Sequence, residues 1–365
     1  MQSPLPSQST GVKVAVAGPK TEHSSLCVDQ LIRTGFDAIG VSDGDPKGLD
    51  CDLLILYGNC RRFHRYRRLL RRQSEVRPRV AVWQIDPLPP AEFDRRFEKH
   101  AIVELSASSR LAMLLRPIEM VANRLLCVAI ARHGFGPYSD RTRGSGVDST
   151  MARAALEAYG FIRNGFREKW IDDVFVSTIQ KQEFLASRGI DSTFAPVGIY
   201  DTPDTDRNLE RDIDVVFIGR LNKRSRWRRL ARLRHEIEKR GAKMLVVENG
   251  CYGEERTALL NRTKIVLHVH KNPWDTPWIR WILAAQCGCL MVSEPLSVPR
   301  PFEPGVHYVE APFEDLPASI EQLLARPADV LAMARGCADF IRANMRGDVS
   351  VETIAATAFR RKTAL

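Results

Sequence analysis

A strand-like run over 213–218 ends at Gly219, and Lys223, Arg224 and Arg226 follow within a few residues. A strand ending at glycine, then a basic loop, then a helix start suits a diphosphate. Glycine lets the backbone approach a ligand closely, and a helix N-terminus offers unpaired N–H groups and partial positive charge. The cationic side chains add whole charges. A solvated basic loop capping a sheet would read the same way. A second run, 268–281, places His268 and His270 at a strand end, then Asp275 and Thr276 before Pro277, with Trp274, Trp278 and Trp281 interspersed. Asp275 or Thr276 suits an N-cap and Pro277 a first helical turn. The tryptophans would stack on a base or sugar, or simply pack. Two histidines on one strand face form half a metal site with no third ligand nearby. In a third run Gly288 precedes a short strand ending at Ser293 and Glu294. Glu294 there would accept from the hydroxyls of a sugar or ribose, or be an exposed loop residue.

The N-terminal half offers candidates for proton transfer. Glu22 and His23 follow a first strand that ends near Gly18, and Asp86 follows a later one, before Pro87. A general base needs a carboxylate or imidazole in reach of the attacking hydroxyl. Helix capping for His23 and a turn role for Asp86 are the plainer readings. The run 61–72 is arginine-rich. As a helix it puts Arg61, Arg65, Arg68 and Arg72 on one face and Phe63, Tyr66 and Leu70 on another. The apolar face packs on a sheet. The basic face is solvated, or meets anionic lipid, nucleic acid or a phosphorylated acceptor.

These runs need strands to present them. Apolar segments at 12–17, 38–41, 52–57, 80–85 and 174–177 alternate with helical patterns at 24–34, 61–72 and 178–188. A long apolar helix is expected over 111–131, interrupted at Pro117, and a Gly/Ser-rich loop over 142–150. After a turn-rich stretch the alternation restarts, with strands at 213–218, 242–247, 265–269 and 290–293. Helices are expected at 227–239, 254–261, 279–286, 316–324 and 328–344. Strand–helix alternation implies parallel sheets. Starting twice, it implies an α/β fold of two Rossmann-like doubly wound lobes facing a cleft, with functional residues just after the strands. The expected divisions are a disordered 1–10, a lobe at 11–200, a hinge at 201–211, a second lobe at 212–345, and a C-terminal helix in 346–365 that packs back on the first lobe.

Bulk properties limit the classes. With 365 residues, 44% hydrophobic and 27% charged, the chain has the composition of two globular domains. No apolar run reaches the roughly 20 residues of a membrane span, and 1–10 lacks a signal-peptide pattern. The eight cysteines are scattered, so reduced, mostly buried thiols are expected. A net charge of +10 points to anionic partners. The resulting reading is a cytoplasmic protein, or one peripheral at the inner membrane face.

The stretch from Leu260 to His270, continued by Asp275, Thr276, Pro277, Cys287, Gly288, Ser293, Glu294 and Pro295, resembles the C-terminal domain of glycosyltransferases related to spore-maturation proteins. These belong to the wider GT-B group. The runs 302–308, 214–226 and 174–198 extend the likeness, which is good over about 212–345 and weaker before. The resemblance implies a metal-independent hexosyltransferase with no cofactor beyond a nucleotide-sugar co-substrate, a UDP- or GDP-sugar. The donor would lie on the second lobe and the acceptor on the first. By matching position Gly219, Lys223, Arg224 and Arg226 would serve the diphosphate. Asp275 would face the sugar, Ser293 and Glu294 would line the donor pocket, and His270 and Thr276 complete the donor set. One departure stands out. Many relatives carry a ribose-binding glutamate where this chain has Leu283, which cannot accept a hydrogen bond. Two other readings stay open: a GT-B-like binding protein without catalysis, and a nucleic-acid binder using the arginine-rich helix.

Overall fold

The chain passes between two units four times. The first comprises residues 1–200, 272–277 and 347–365, the second 201–271 and 278–346. The structure, a computed structural model, describes residues 10–19, 22–58, 63–72, 77–100, 125, 127–136, 149–199, 206–219, 224–248, 251–270, 274–276 and 278–360, without the side chains of Glu22, His23, Lys99, His100, Ser149, Arg224, Ser225 and Arg360. Most of the long helix expected over 111–131, most of the loop at 142–150, and residues 201–205 of the expected hinge lie outside the described residues. No helix among the described residues is long and apolar enough to cross a membrane.

The first unit holds six parallel strands: β1 (Lys13–Ala17), β2 (Asp37–Val41), β3 (Leu53–Gly58), β4 (Arg79–Gln84), β5 (Asp173–Val176) and β6 (Thr193–Phe194), in the order β2-β1-β3-β4-β5-β6. Alternation along each strand sends neighbours to opposite faces, and both faces are covered, so the strands read as unbroken apolar runs. Ala15, Leu54, Leu56, Val80, Val82 and Val174 pack against Tyr66, Tyr159, Ile162 and Phe184. Val14, Val16, Leu53, Ile55, Trp83 and Phe175 meet Cys27 and Leu31 of α1 (Glu22–Arg33) on the other face.

Two helices of this unit differ from expectation. The arginine-rich helix α2 spans only His64–Leu70; Asp43 caps its N-terminus from afar, accepting from the N–H groups of Arg65 and Tyr66 at 3.0 Å each. Arg61 lies outside the described residues, and Arg72 stands in the turn beyond the helix, so the four-arginine face is not one helical stripe; Arg65, Arg68 and Arg72 are exposed. Phe63, Tyr66 and Leu70 are buried. The second helix, α3 (Ser149–Arg167), falls where the sequence reading places no helix. Glycines at 160 and 165 weaken its local signal, yet Gly165 is required: a Cβ there would lie 2.1 Å from Ile171 Cδ1. Helix α4 (Ile179–Ala186) follows β5.

The second unit holds β7 (Ile213–Ile218), β8 (Met244–Val247), β9 (Thr263–His268), β10 (Leu290–Ser293) and β11 (Val309–Glu310), parallel, in the order β11-β10-β9-β7-β8. Its helices are α5 (Arg224–Lys239), α6 (Gly253–Asn261), α7 (Ile279–Gln286), α8 (Leu316–Leu324) and α9 (Pro327–Asn344). Val215, Phe217, Ile265, Leu267, Leu290 and Val292 form its core with Leu230, Leu233 and Ile237 of α5 and Ile320 of α8. Helix α5 begins at Arg224, not at 227, so Arg224 and Arg226 belong to its first turn rather than to a loop. After β9 the chain enters the first unit for residues 272–277. After α9 it returns there for good, as α10 (Gly347–Ala355) and α11 (Thr357–Arg360).

Candidate functional site

The strand order of the second unit sets where a ligand belongs. The chain leaves β7 for β8 on one side and resumes at β9 on the other. Connections diverging from neighbouring strands leave a crevice beyond their carboxyl ends. Gly219 follows β7 there, and Val269 and His270 follow His268 at the end of β9.

The side chains that meet around these ends form a cationic group. Arg226 reaches back from α5, and its Nη2 donates to the Val269 carbonyl at 2.9 Å. Arg280 comes from α7, and its Nη1 lies 2.6 Å from His268 Nδ1. Both guanidinium carbons lie over the buried Phe217 ring, at 5.2 and 5.6 Å. A Cβ at Gly219 would come 3.0 Å from Arg280 Nη2, so the glycine leaves room for the guanidinium. Arg229 donates to Glu294 Oε1 at 2.5 Å, and the His270 N–H donates to Glu294 Oε2 at 2.8 Å. His270 Nε2 lies 2.9 Å from the Pro295 carbonyl, which only accepts, so that nitrogen carries the hydrogen.

Among these named side chains are three guanidinium cations and one carboxylate, and their ionisation reflects the excess. Burial, then the neighbouring Arg226, pushes Arg280 down to about 10. Burial and Arg229 lower Arg226 against the pull of Glu294. Burial, then Arg280, His270 and Arg226, hold His268 well below the ordinary histidine value. Burial lowers His270 too, opposed by Glu294. Cations depressed in this way are ionised at neutral pH but short of counter-charge, so an anion entering the crevice would relieve their repulsion.

The structure distributes the sequence-derived candidates unevenly. Gly219, Arg226, His270, Ser293 and Glu294 come together in the second unit. The Ser293 hydroxyl is buried and donates to the Glu294 carbonyl at 2.7 Å. Lys223 lies outside the described residues, and of Arg224 only the backbone, at the start of α5, is described. Asp275 and Thr276 are buried within the first unit. There Lys181 Nζ of α4 binds Asp275 at 2.9 Å, and Thr178 Oγ1 donates to it at 2.9 Å. Asp275 is therefore committed to a buried ion pair rather than to a helix cap. Glu22 and His23 occupy the first turn of α1, their side chains undescribed, and Asp86 is partly exposed beyond β4.

Two cations of the group, Arg229 and Arg280, went unread as site residues in the sequence, and His268 was read only as half of a metal site. Arg280 had a signal, a lone cation in the apolar stretch Ile-Arg-Trp-Ile-Leu-Ala-Ala. The three tryptophans are buried by packing. Trp274 donates to the Leu88 carbonyl at 2.8 Å in the first unit, and Trp278 and Trp281 sit edge to face in the second. Leu283, on α7, presents no hydrogen-bonding atom. The two histidines are 5.3 Å apart, but their ring nitrogens turn to Arg280 and to Pro295.

Comparisons with known proteins bear on this geometry. Residues 207–356 match the model of a family described as glycosyl transferase-like. Sucrose-phosphate synthase from Thermosynechococcus elongatus superposes over 97% of this chain and 100% of its own, at 12% identity and a TM-score of 0.55. At that identity the likeness gives the fold alone, the GT-B arrangement of two Rossmann-like lobes. HepE from Anabaena, solved with UDP-glucose, matches over 95% of this chain and 99% of its own at 12% identity, with a TM-score of 0.45 that carries no weight here. No curated protein matches the chain.

Proposed function

We propose that this chain, whose residues 207–356 match the model of a glycosyl transferase-like family, moves a hexose from a nucleotide-diphosphate donor to an acceptor hydroxyl without a metal ion. The reaction class follows from that match, and the GT-B fold agrees with it. The donor class and the residues that hold it are our reading. One observation carries that reading: Arg280, a cation whose hydrogen-bond partner is a neutral imidazole, stands beside Gly219 at the switch point of the second sheet.

In the transfer the bond between the anomeric carbon and a diphosphate oxygen breaks, and the electron pair leaves with the diphosphate. Positive groups fixed where that charge develops lower the barrier without reorganising. Arg280, Arg226 and the N-terminal turn of α5 are suited to this role, with Lys223 and Arg224 in the same run. Guanidinium charge would do the work of a divalent cation, and no cofactor beyond the co-substrate is needed. Asp86, Glu22 and His23 of the first unit are the candidates to take the acceptor proton. We read the acceptor as anionic and the chain as cytoplasmic. The exposed Arg65, Arg68 and Arg72 would then be available to anionic lipid or nucleic acid.

A panel of UDP- and GDP-sugars tests the reading. At least one should raise the melting temperature and be slowly hydrolysed in the presence of EDTA. Arg280→Gln and Arg226→Gln should each weaken that binding by about tenfold or more. If no nucleotide-sugar produced either response, the reading would fall.

A further inference from the structure

We infer that His268 is a positioning residue of the anion site: it fixes the direction of the Arg280 guanidinium while leaving its charge unspent. This rests on the donor reading above.

The geometry begins with a donor count. A guanidinium only donates, so the 2.6 Å contact makes His268 Nδ1 the lone-pair nitrogen and leaves the hydrogen on Nε2. The imidazole is in turn held between two rings, Trp281 at 4.8 Å and His270 at 5.3 Å. Phe217 supports the guanidinium at 5.6 Å, and the bare Cα of Gly219 leaves it space. Arg280 is thereby aimed by contacts that carry no negative charge.

A carboxylate in place of His268 would also accept from Arg280, and with a stronger charge-assisted bond. It would cancel the charge that an incoming diphosphate needs. The surrounding charged and titratable groups cannot substitute for His268. Arg226 and Arg229 of α5 are cations, and Glu294 beyond β10 is engaged by Arg229 and by the His270 N–H. The His270 ring donates through Nε2 to Pro295. A neutral acceptor at position 268 reconciles orientation with attraction.

Two near-isosteric substitutions separate this role from packing. His268→Asn keeps a neutral acceptor close to the place of Nδ1, and His268→Asp puts a charged one there. The probe is inorganic pyrophosphate, titrated calorimetrically into the full chain, with melting temperatures recorded in its absence. Wild type should bind, and His268→Asn should bind within about threefold of it. His268→Asp should bind about tenfold or more weakly while melting no lower than His268→Asn. Equal binding by the Asn and Asp variants would overturn the inference and leave the donor reading standing. So would a wild type that binds a nucleotide-sugar but not pyrophosphate. The expected pattern without sugar transfer from any donor would support the inference and leave the anion site standing without the transfer reaction. If His268→Asp does not fold, Arg280→Gln must show the same loss with His268 intact, and undiminished binding by it overturns the inference.

Discussion

His268 and His270 are buried as neutral rings, and the folded chain resists charging them because burial and the adjacent arginines oppose it. The unfolded chain has no such resistance and takes up protons below about pH 6.5. With both folded values lowered, the unfolded state binds more protons as pH falls through that range, so stability declines toward acid. The urea midpoint should be lower at about pH 5.5 than at about pH 7.5. The double variant His268→Asn, His270→Asn should show a shallower decline, and an unchanged slope would contradict this account. Lys181 and Asp275 give a second expectation at this scale. Both are fully buried, Lys181 also donates to the Ser177 and Thr178 hydroxyls, and Thr178 donates to Asp275. Removing one partner strands a buried charge, so Asp275→Ala should cost about 3–5 kcal/mol in chemical denaturation. Adding Lys181→Met should recover much of it. Neither the Lys181–Asp275 pair nor the Arg280–His268 bond was visible in the sequence, since 94 residues separate Lys181 from Asp275 and the Arg280 bond needs two elements already folded.

Elements were easier to read than their ends. Segments such as 53–57 and 80–85 stood out because parallel strands buried on both faces become continuous apolar runs. The sequence reading looked for functional residues just after the strands, and Gly219, His270 and Glu294 do follow β7, β9 and β10. The failures were of two kinds. Helix α2 stops short of 72, and its cap comes from Asp43, about twenty residues upstream, which no local pattern reveals. Helix α3 went unread because Gly165, needed against Ile171, is a poor helix former. Tertiary packing decided both.

For the whole molecule, the return of the chain to its first unit matters most. Val351, Ile354 and Ala355 of α10 complete the face of the first sheet that Cys27 and Leu31 of α1 also cover. Ser350 Oγ donates to the Pro196 carbonyl at 2.9 Å, and Gln30 Nε2 donates to Glu352 Oε1 at 3.0 Å. A chain ending at Asn344 would uncover apolar side chains worth about 25 cal/mol per Å² of surface newly exposed to water. It should melt earlier in the first unit and bind a hydrophobic dye. If its calorimetric profile matched that of the full chain, α10 would be dispensable.

The same return path has a consequence for biosynthesis. A ribosome delivers all six strands of the first sheet long before the segment that seals one side of it. That nascent sheet must wait, with one oily flank only partly covered by α1, while roughly 150 further residues are translated, a delay of about 8–30 s at common elongation rates. Closure of that flank therefore waits for residues 347–360, near the end of synthesis.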